Sequence, residues 1–350
     1  MIGVRSFGDD PALVARHGAA FVRGLHEAGV AACAKHYPGH GDTAVDSHLD
    51  LPVVEQPIDI VRARELVPFR AVIEAGADAV MSSHVVVRAL DDTPATLSRP
   101  VLVDLLRGQL GFAGTIVTDA LDMKGVSGRR SIGDAAVLAL AAGADLLCLG
   151  AGQDEAVLDH VHAVVVAAVA EGVIDDVRLG EAAARAARLG VSDRPRNGGD
   201  GALGPLAARR ALRVEGAAVG SHRGYHVVEL RPQPGIAAGN VPWGLAAALA
   251  SVDPATTVTV LRETDNVDGA LVEAASRPLV VVTRDRHRHR GQRGQLQRLV
   301  AARPDAVVVD MGWPCGEPLP GTTLITTFGA SRASAAAVAE LLTREDPSVG

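Results

Sequence analysis

The sequence predicts an α/β protein built on parallel sheets, and three observations carry that prediction. Short apolar runs alternate with amphipathic segments from residue 11 to about 190, and a second alternation begins after residue 205. The apolar runs are nearly continuous, as in strands covered on both faces by helices. Polar side chains with chemical potential fall at the C-terminal ends of the runs: Lys35 and His36, then His84, then Asp119. A βα barrel and a doubly wound sheet both place ligands at those ends, so this pattern by itself fits either.

Taken in order, Asp10 followed by Pro11 predicts a helix start, an N-cap acceptor with proline in the first turn. That helix is expected to run to about Ala28, ended by Gly29. VAACAKHY (30–37) reads as a strand, and a helix near 60–75 is expected to bend or restart at Pro68. ADAVMSSH (77–84), GTIVTD (114–119) and ADLLCLG (144–150) read as strands. Helices are expected at 99–109, 132–142, near 153–171 and at 178–189. SDRPRNGGDGALGP (192–205) has the composition of a linker, giving domains at 1–191 and 206–350. Beyond it, strands are expected near 225–230, 256–261, 278–283, 306–310 and 322–327, with helices between. No GxGxxG or Walker-type loop precedes a helix there, so no nucleotide is assigned. RDRHRHRGQR (284–293) reads as a solvated loop or helix start, with a metal or anion site as the alternative.

Composition narrows the function classes. With 48% hydrophobic residues a sizeable core can form, and with 3% aromatics it must be built from Ala, Val, Leu and Ile. The net charge of -7 argues against a nucleic-acid partner, which needs clustered positive charge. There is no signal-peptide pattern and no apolar run long enough to span a bilayer. Lysine occurs only at 35 and 124. The three cysteines show no metal spacing and no disulfide framework. Cys33 and Cys148 lie in apolar runs, where burial as small hydrophobes is expected, and Cys315 lies in a Gly/Pro loop.

The densest polar stretch is KHYPGHGDTAVDSH (35–48), and three chemistries compete for it. His36, His40, Asp42, Asp46 and His48 are all metal-ligand types, but no two histidines sit at i, i+4 on a helix and HExxH is absent. A proton-transfer site is the second reading. Asp46 and His48 are one residue apart, so the carboxylate can orient the imidazole and stabilise its protonated form. Asp119, in VTDALDM, ends a strand at the same mouth, and carboxylates serve as nucleophiles towards glycosidic carbons. The third reading is structural, with glycines for tight turns and histidines bonding backbone.

GVRSFGDDP (3–11), KHYPGHGDTAVDSH (35–48), DAVMSSHV (78–85) and VTDALDMKGV (117–126) together resemble the bacterial β-N-acetylglucosaminidases of glycoside hydrolase family 3. The resemblance covers roughly residues 1–190; the second domain is similar only in general pattern. It implies that Asp119 is the nucleophile of a covalent glycosyl–enzyme intermediate. It implies that His48, paired with Asp46, is the general acid/base, and that Arg5, Lys35 and His36 grip the sugar. Asp122 is read as a surface or supporting residue; Lys124 could lower the Asp119 pKa, but for both the favoured reading is no role in the chemistry. The implied activity is retaining release of terminal β-linked N-acetylglucosamine, with peptidoglycan fragments as the expected source. The implied partner is a carbohydrate substrate, with no cofactor and no metal. A phosphorylase with the same site, a half-barrel that only binds sugar, and a metal-dependent hydrolase are the rivals.

The resemblance also chooses the fold: the C-terminal half of a (β/α)8 TIM-type barrel, followed by a smaller open, doubly wound α/β domain. A whole barrel takes about 250 residues. The first half, with an aspartate that holds sugar hydroxyls, is therefore expected upstream of Met1. A half-barrel leaves two sheet edges unpaired, so self-association through those edges is expected.

Overall fold

A computed structural model describes residues 2–43, 51–128, 130–189, 199–217, 219–232, 242–314, 319 and 321–344. The chain divides into two compact units, Met1–Gly199 and Asp200–Gly350.

The strands of the first unit are β1 (Cys33–Tyr37), β2 (Val53–Val54), β3 (Ala79–Ser82), β4 (Val86–Val87), β5 (Thr115–Ala120) and β6 (Leu146–Cys148). β2 and β4 pair only with each other. The other four form one parallel sheet in the order β1-β3-β5-β6. Each new strand is added to the same edge. That is the winding of a βα barrel; a doubly wound sheet would reverse direction.

The helices between them are α1 (Pro11–Glu27), α2 (Ile58–Ala63), α3 (Leu66–Glu74), a π-helix at Pro100–Gln109, α4 (Lys124–Ser127), α5 (Ile132–Ala142), α6 (Glu155–Ala170) and α7 (Asp176–Leu189). Their starts are written locally. The Asp10 side chain accepts from the Ala12 N–H, Ser131 from Asp134 and Asp154 from Val157. Gly143 ends α5 at φ 115°, where a Cβ would also crowd Val103. The core is aliphatic, as the composition requires: Leu66, Val72, Val80, Leu102, Leu106, Ile116, Ala135 and Ala139 are all buried in it. Tyr37 and Phe69 add one edge-to-face ring pair, with centroids 5.2 Å apart.

Three expectations need correction. The helix near 60–75 breaks at Arg64–Glu65, not at Pro68. Pro68 sits in the first turn of α3, where its missing N–H leaves no helical bond unmade. The strands are not all covered on both faces. β3 and β5 are, but Cys33 and Lys35 of β1 and Leu146 of β6 are exposed. Cys33 is therefore not a buried hydrophobe, because it lies on the open face of an edge strand. Cys148 is half-buried.

At the N-terminal end of the same sheet, Asp145 is fully buried and holds the ends of three elements together. It pairs with Arg107, with Arg178 at 2.9 Å and with Arg185 at 3.2 Å, and accepts from the Ile116 N–H at 2.9 Å. A carboxylate saturated in this way is structural, and it sits on the face where barrels keep their stabilising contacts.

In the second unit the strands are β7 (Arg213–Glu215), β8 (His226–Arg231), β9 (Thr257–Arg262), β10 (Leu279–Thr283), β11 (Val307–Asp310) and β12 (Thr323–Thr326). The helices are α8 (Leu203–Ala211), α9 (Ala246–Val252), α10 (Asp268–Glu273), α11 (Arg290–Ala302) and α12 (Arg332–Thr343). The sheet order is β7-β12-β11-β10-β8-β9. Winding reverses between β8 and β10, which makes this unit doubly wound. β7, the antiparallel edge strand, was not expected from the sequence. α8 begins inside the stretch expected to be linker, opened by Asp200, whose side chain accepts from Ala202 N–H. The run 284–293 is not wholly solvated. Arg286 is buried and pairs with Asp310 at 3.3 Å, and α11 starts at Arg290.

Candidate active site

His36 and Asp119 meet at the C-terminal rim of the four-stranded sheet. His36 lies on β1 and Asp119 on β5, with β3 between them. The pairing of β5 with β6 slips between Val117 and Ala120, so Asp119 stands in an irregular segment, where strands commonly re-aim a side chain. Its Oδ1 accepts from the Ala120 N–H at 2.9 Å. Its Oδ2 lies 3.9 Å from His36 Nε2, with the two side chains 15% and 10% exposed. One carboxylate oxygen is thus held by backbone while the other faces the rim.

Burial pushes the His36 pKa down to about 4, against the opposing pull of Asp119 and with help from the positive charges of Lys35 and Arg5. His36 is therefore neutral near pH 7, and its link to Asp119 is not an ion pair. Its Nδ1 is buried and has no hydrogen-bond partner among the described residues. The His40 ring stands edge-on to it at 6.1 Å. Lys35 and Arg5 are exposed, and both act on His36 through their charge. Four of the six residues expected in the site, Asp119, His36, Lys35 and Arg5, thus fall in one electrostatic neighbourhood. Asp46 and His48 lie outside the described residues.

Other polar residues of the opening loop anchor it. His40 Nδ1 bonds the Thr43 hydroxyl at 2.8 Å, and that hydroxyl donates to the His40 carbonyl. Asp42 is taken up by Arg64 at 2.7 Å, and Arg64 also binds Glu65. Among the described residues no three His, Cys, Asp or Glu side chains cluster as metal ligands would.

Beyond Asp119, Asp122 accepts from the Gly150 N–H at 2.7 Å and from Gln153 at 3.2 Å, tying the loop after β5 to the loop after β6. A Cβ at position 150 would overlap that carboxylate, which explains the glycine. Lys124 is exposed at the start of α4, and among the described residues no ion pair joins it to Asp119. Ser83 and His84 were given no role in the sequence, and both are fully buried against the rim. The sequence signals for them are the place of His84 at the end of an apolar run and the motif DAVMSSHV (78–85) that contains both.

Residues 1–189 match the family model described as the glycosyl hydrolase family 3 N terminal domain. Among curated proteins, a "Beta-hexosaminidase" of Tolumonas auensis is 43% identical over 165 residues, which cover 46% of this chain and 49% of that protein. One of Stenotrophomonas maltophilia (strain K279a) is 47% identical over 122 residues, covering 35% of this chain and 36% of that protein. The chain thus spans half or less of the length of these curated relatives. Among solved structures, a glycoside hydrolase family 3 β-N-acetylglucosaminidase from Paenibacillus sp. str. FPU-7 superposes with a TM-score of 0.81 at 30% identity, covering 98% of this chain and 70% of that one. The sequence motifs, the winding of the sheet and the family model agree: the chain belongs to glycosyl hydrolase family 3.

Proposed function

We propose that this chain carries the site of a retaining β-N-acetylglucosaminidase, which releases terminal β-linked N-acetylglucosamine through a glycosyl–Asp119 intermediate. The observation that supports it most is the state of Asp119. It is a half-enclosed carboxylate at a strand's C-terminal rim, with one oxygen held by its own backbone and the other beside a neutral histidine. Oδ2 attacks the anomeric carbon, forming a C–O bond as the bond to the aglycone breaks. His48, oriented by Asp46, gives its proton to the departing oxygen. It then takes a proton from water, which opens the ester and returns the β configuration. His36 stays neutral and serves as a hydrogen-bonding wall, so it does not quench the Asp119 charge. Lys35 and Arg5 bring positive charge to the sugar's hydroxyl and acyl oxygens. Peptidoglycan fragments are the proposed natural source.

The test is covalent trapping. A fluorinated N-acetylglucosaminyl donor should leave one sugar on the peptide that contains Asp119, seen by mass spectrometry. Label on any other carboxylate, or none with a donor that is turned over, defeats the assignment. Product analysis in phosphate buffer separates hydrolysis from phosphorolysis. Free N-acetylglucosamine at every phosphate concentration is expected, and a sugar 1-phosphate that rises with phosphate would reassign the acceptor.

A further inference from the structure

The sequence motif that the proposed mechanism leaves unused is Ser82-Ser83-His84, at the end of β3. β3 lies between the strand that carries His36 and the strand that carries Asp119. Two neighbouring residues at its tip reach in opposite directions. The Ser83 hydroxyl donates to the main-chain carbonyl of Tyr37, the residue after His36, at 2.9 Å. His84 Nε2 donates to the main-chain carbonyl of Ala120, the residue after Asp119, at 2.9 Å. Ser82, Ser83 and His84 are each 0% exposed.

The far side of the His84 ring is held as well. Its Nδ1 lies 3.0 Å from the Thr96 hydroxyl, which is 2.8 Å from the Ser82 hydroxyl. A carbonyl can only accept, so Nε2 carries a proton. The Thr96 N–H already serves the Ser83 carbonyl at 3.1 Å. The Thr96 hydroxyl donates to that same Ser83 carbonyl at 3.0 Å, so Ser82, Ser83, Thr96 and His84 are tied together at the tip of β3. The result is one buried hydrogen-bonded cluster of Ser82, Thr96 and His84 that ends on the Ala120 carbonyl.

We propose that Ser83 and His84 form a two-armed brace that sets the separation of His36 and Asp119. Neither touches the reacting atoms, so both are positioning residues. The ladder cannot do this work at that level. The register of β1 on β3 shifts between Lys35 and Tyr37, and the pairing of β3 with β5 ends at Met81 and Val117, short of Asp119. On both sides a side chain from β3's tip carries the constraint past the end of regular strand pairing. The same Ala120 carbonyl also accepts from the Met123 N–H at 3.1 Å, so the His84 arm extends to the turn that follows the nucleophile.

The proposal rests on the glycosidase reading for its catalytic readout, and the test keeps the two apart. It uses the full chain with an aryl N-acetylglucosaminide. Ser83→Ala and His84→Ala should each lower kcat by about ten- to a hundredfold, with KM changed by less than about threefold. His84→Gln retains a donor towards Ala120 and should recover most of kcat. The double variant should lose less than the product of the single losses, because both arms fix one distance. Unchanged kcat in both alanine variants overturns the brace. So does a loss that follows only the folded fraction measured by circular dichroism. Ser83→Ala removes a single hydroxyl and keeps the test open where His84→Ala fails to fold. If the unaltered chain neither turns over substrate nor labels at Asp119, the glycosidase reading fails, and amide exchange then decides the brace. Exchange at Met123 about tenfold faster in His84→Ala than in the unaltered chain, and restored in His84→Gln, supports it; exchange unchanged in His84→Ala overturns it.

Discussion

The two units place acidic side chains at equivalent positions and treat them differently. Asp119 is the last residue but one of β5 in the first sheet, and Asp310 ends β11 of the second. Asp310 is buried, accepts from the Gly312 N–H at 3.0 Å and pairs with Arg286. Burial raises its pKa even so. Asp119 keeps partial exposure, a single backbone donor and a neutral histidine at 3.9 Å. A carboxylate at the rim of a parallel sheet is thus not in itself a sign of chemistry. What separates the two is whether the neighbours consume the charge. In the second unit Arg286 consumes it. In the first, burial keeps His36 from becoming a counter-ion, and the carboxylate is left without one.

The most severe test of that contrast is exchange of each acid for its amide. Asp119→Asn should lose about four orders of magnitude or more in kcat while unfolding at nearly the same temperature, since only one backbone bond depends on it. Retention of more than a few per cent of activity by Asp119→Asn would end the comparison. Asp310→Asn should do the reverse. It leaves Arg286 buried without its anion and should cost about 3 kcal/mol in urea unfolding of the second unit. Turnover per folded molecule should stay within about twofold.

His36 sharpens the comparison through pH. Its pKa is about 4 in the folded chain against 6.5 for the free side chain. The unfolded state therefore binds the proton first. The stabilisation from keeping the ring neutral is complete above pH 6.5 and is lost as pH falls towards about 4. The loss across that window should reach about 3 kcal/mol, and His36→Gln should remove it. Urea midpoints at pH 7 and 4.5 for both proteins decide this. Equal slopes in the two would mean that burial does not hold His36 neutral. The smallest effect is expected at Lys124. Exposed and unpaired with Asp119, it should change kcat/KM by less than about twofold when replaced by Gln, and the acid limb of the pH–rate profile should not move. A shift of that limb would restore Lys124 as a neighbour of the nucleophile.

Much of this was legible in the sequence. Helix α1 begins where Asp10 and Pro11 said it would, and α5 spans the expected 132–142, closed by Gly143. The four strands fall inside the four apolar runs, apart from one residue at Ala120. The candidate site was legible in part. Asp119 and His36 stand together as the motifs implied, whereas Asp122 proved to be a clasp on Gly150 and Lys124 a surface residue. Ser83 and His84 carried no readable role, because their partners are backbone carbonyls 46 and 36 residues away.

The sequence alone determined what depends on neighbours along the chain: caps, helix ends, apolar runs, and the presence of a histidine and an aspartate at strand termini. Those signals act within a few residues, so local sterics and local hydrogen bonds are enough to write them. Only the tertiary structure decided the order of the strands, which residues of the edge strands β1 and β6 stay open to solvent, and which rim carboxylate keeps its charge free. These depend on packing between segments that are distant in the chain. Burial and the donors it brings near are properties of the assembled sheet, and they set whether a rim aspartate is consumed as a strut or left open at the rim.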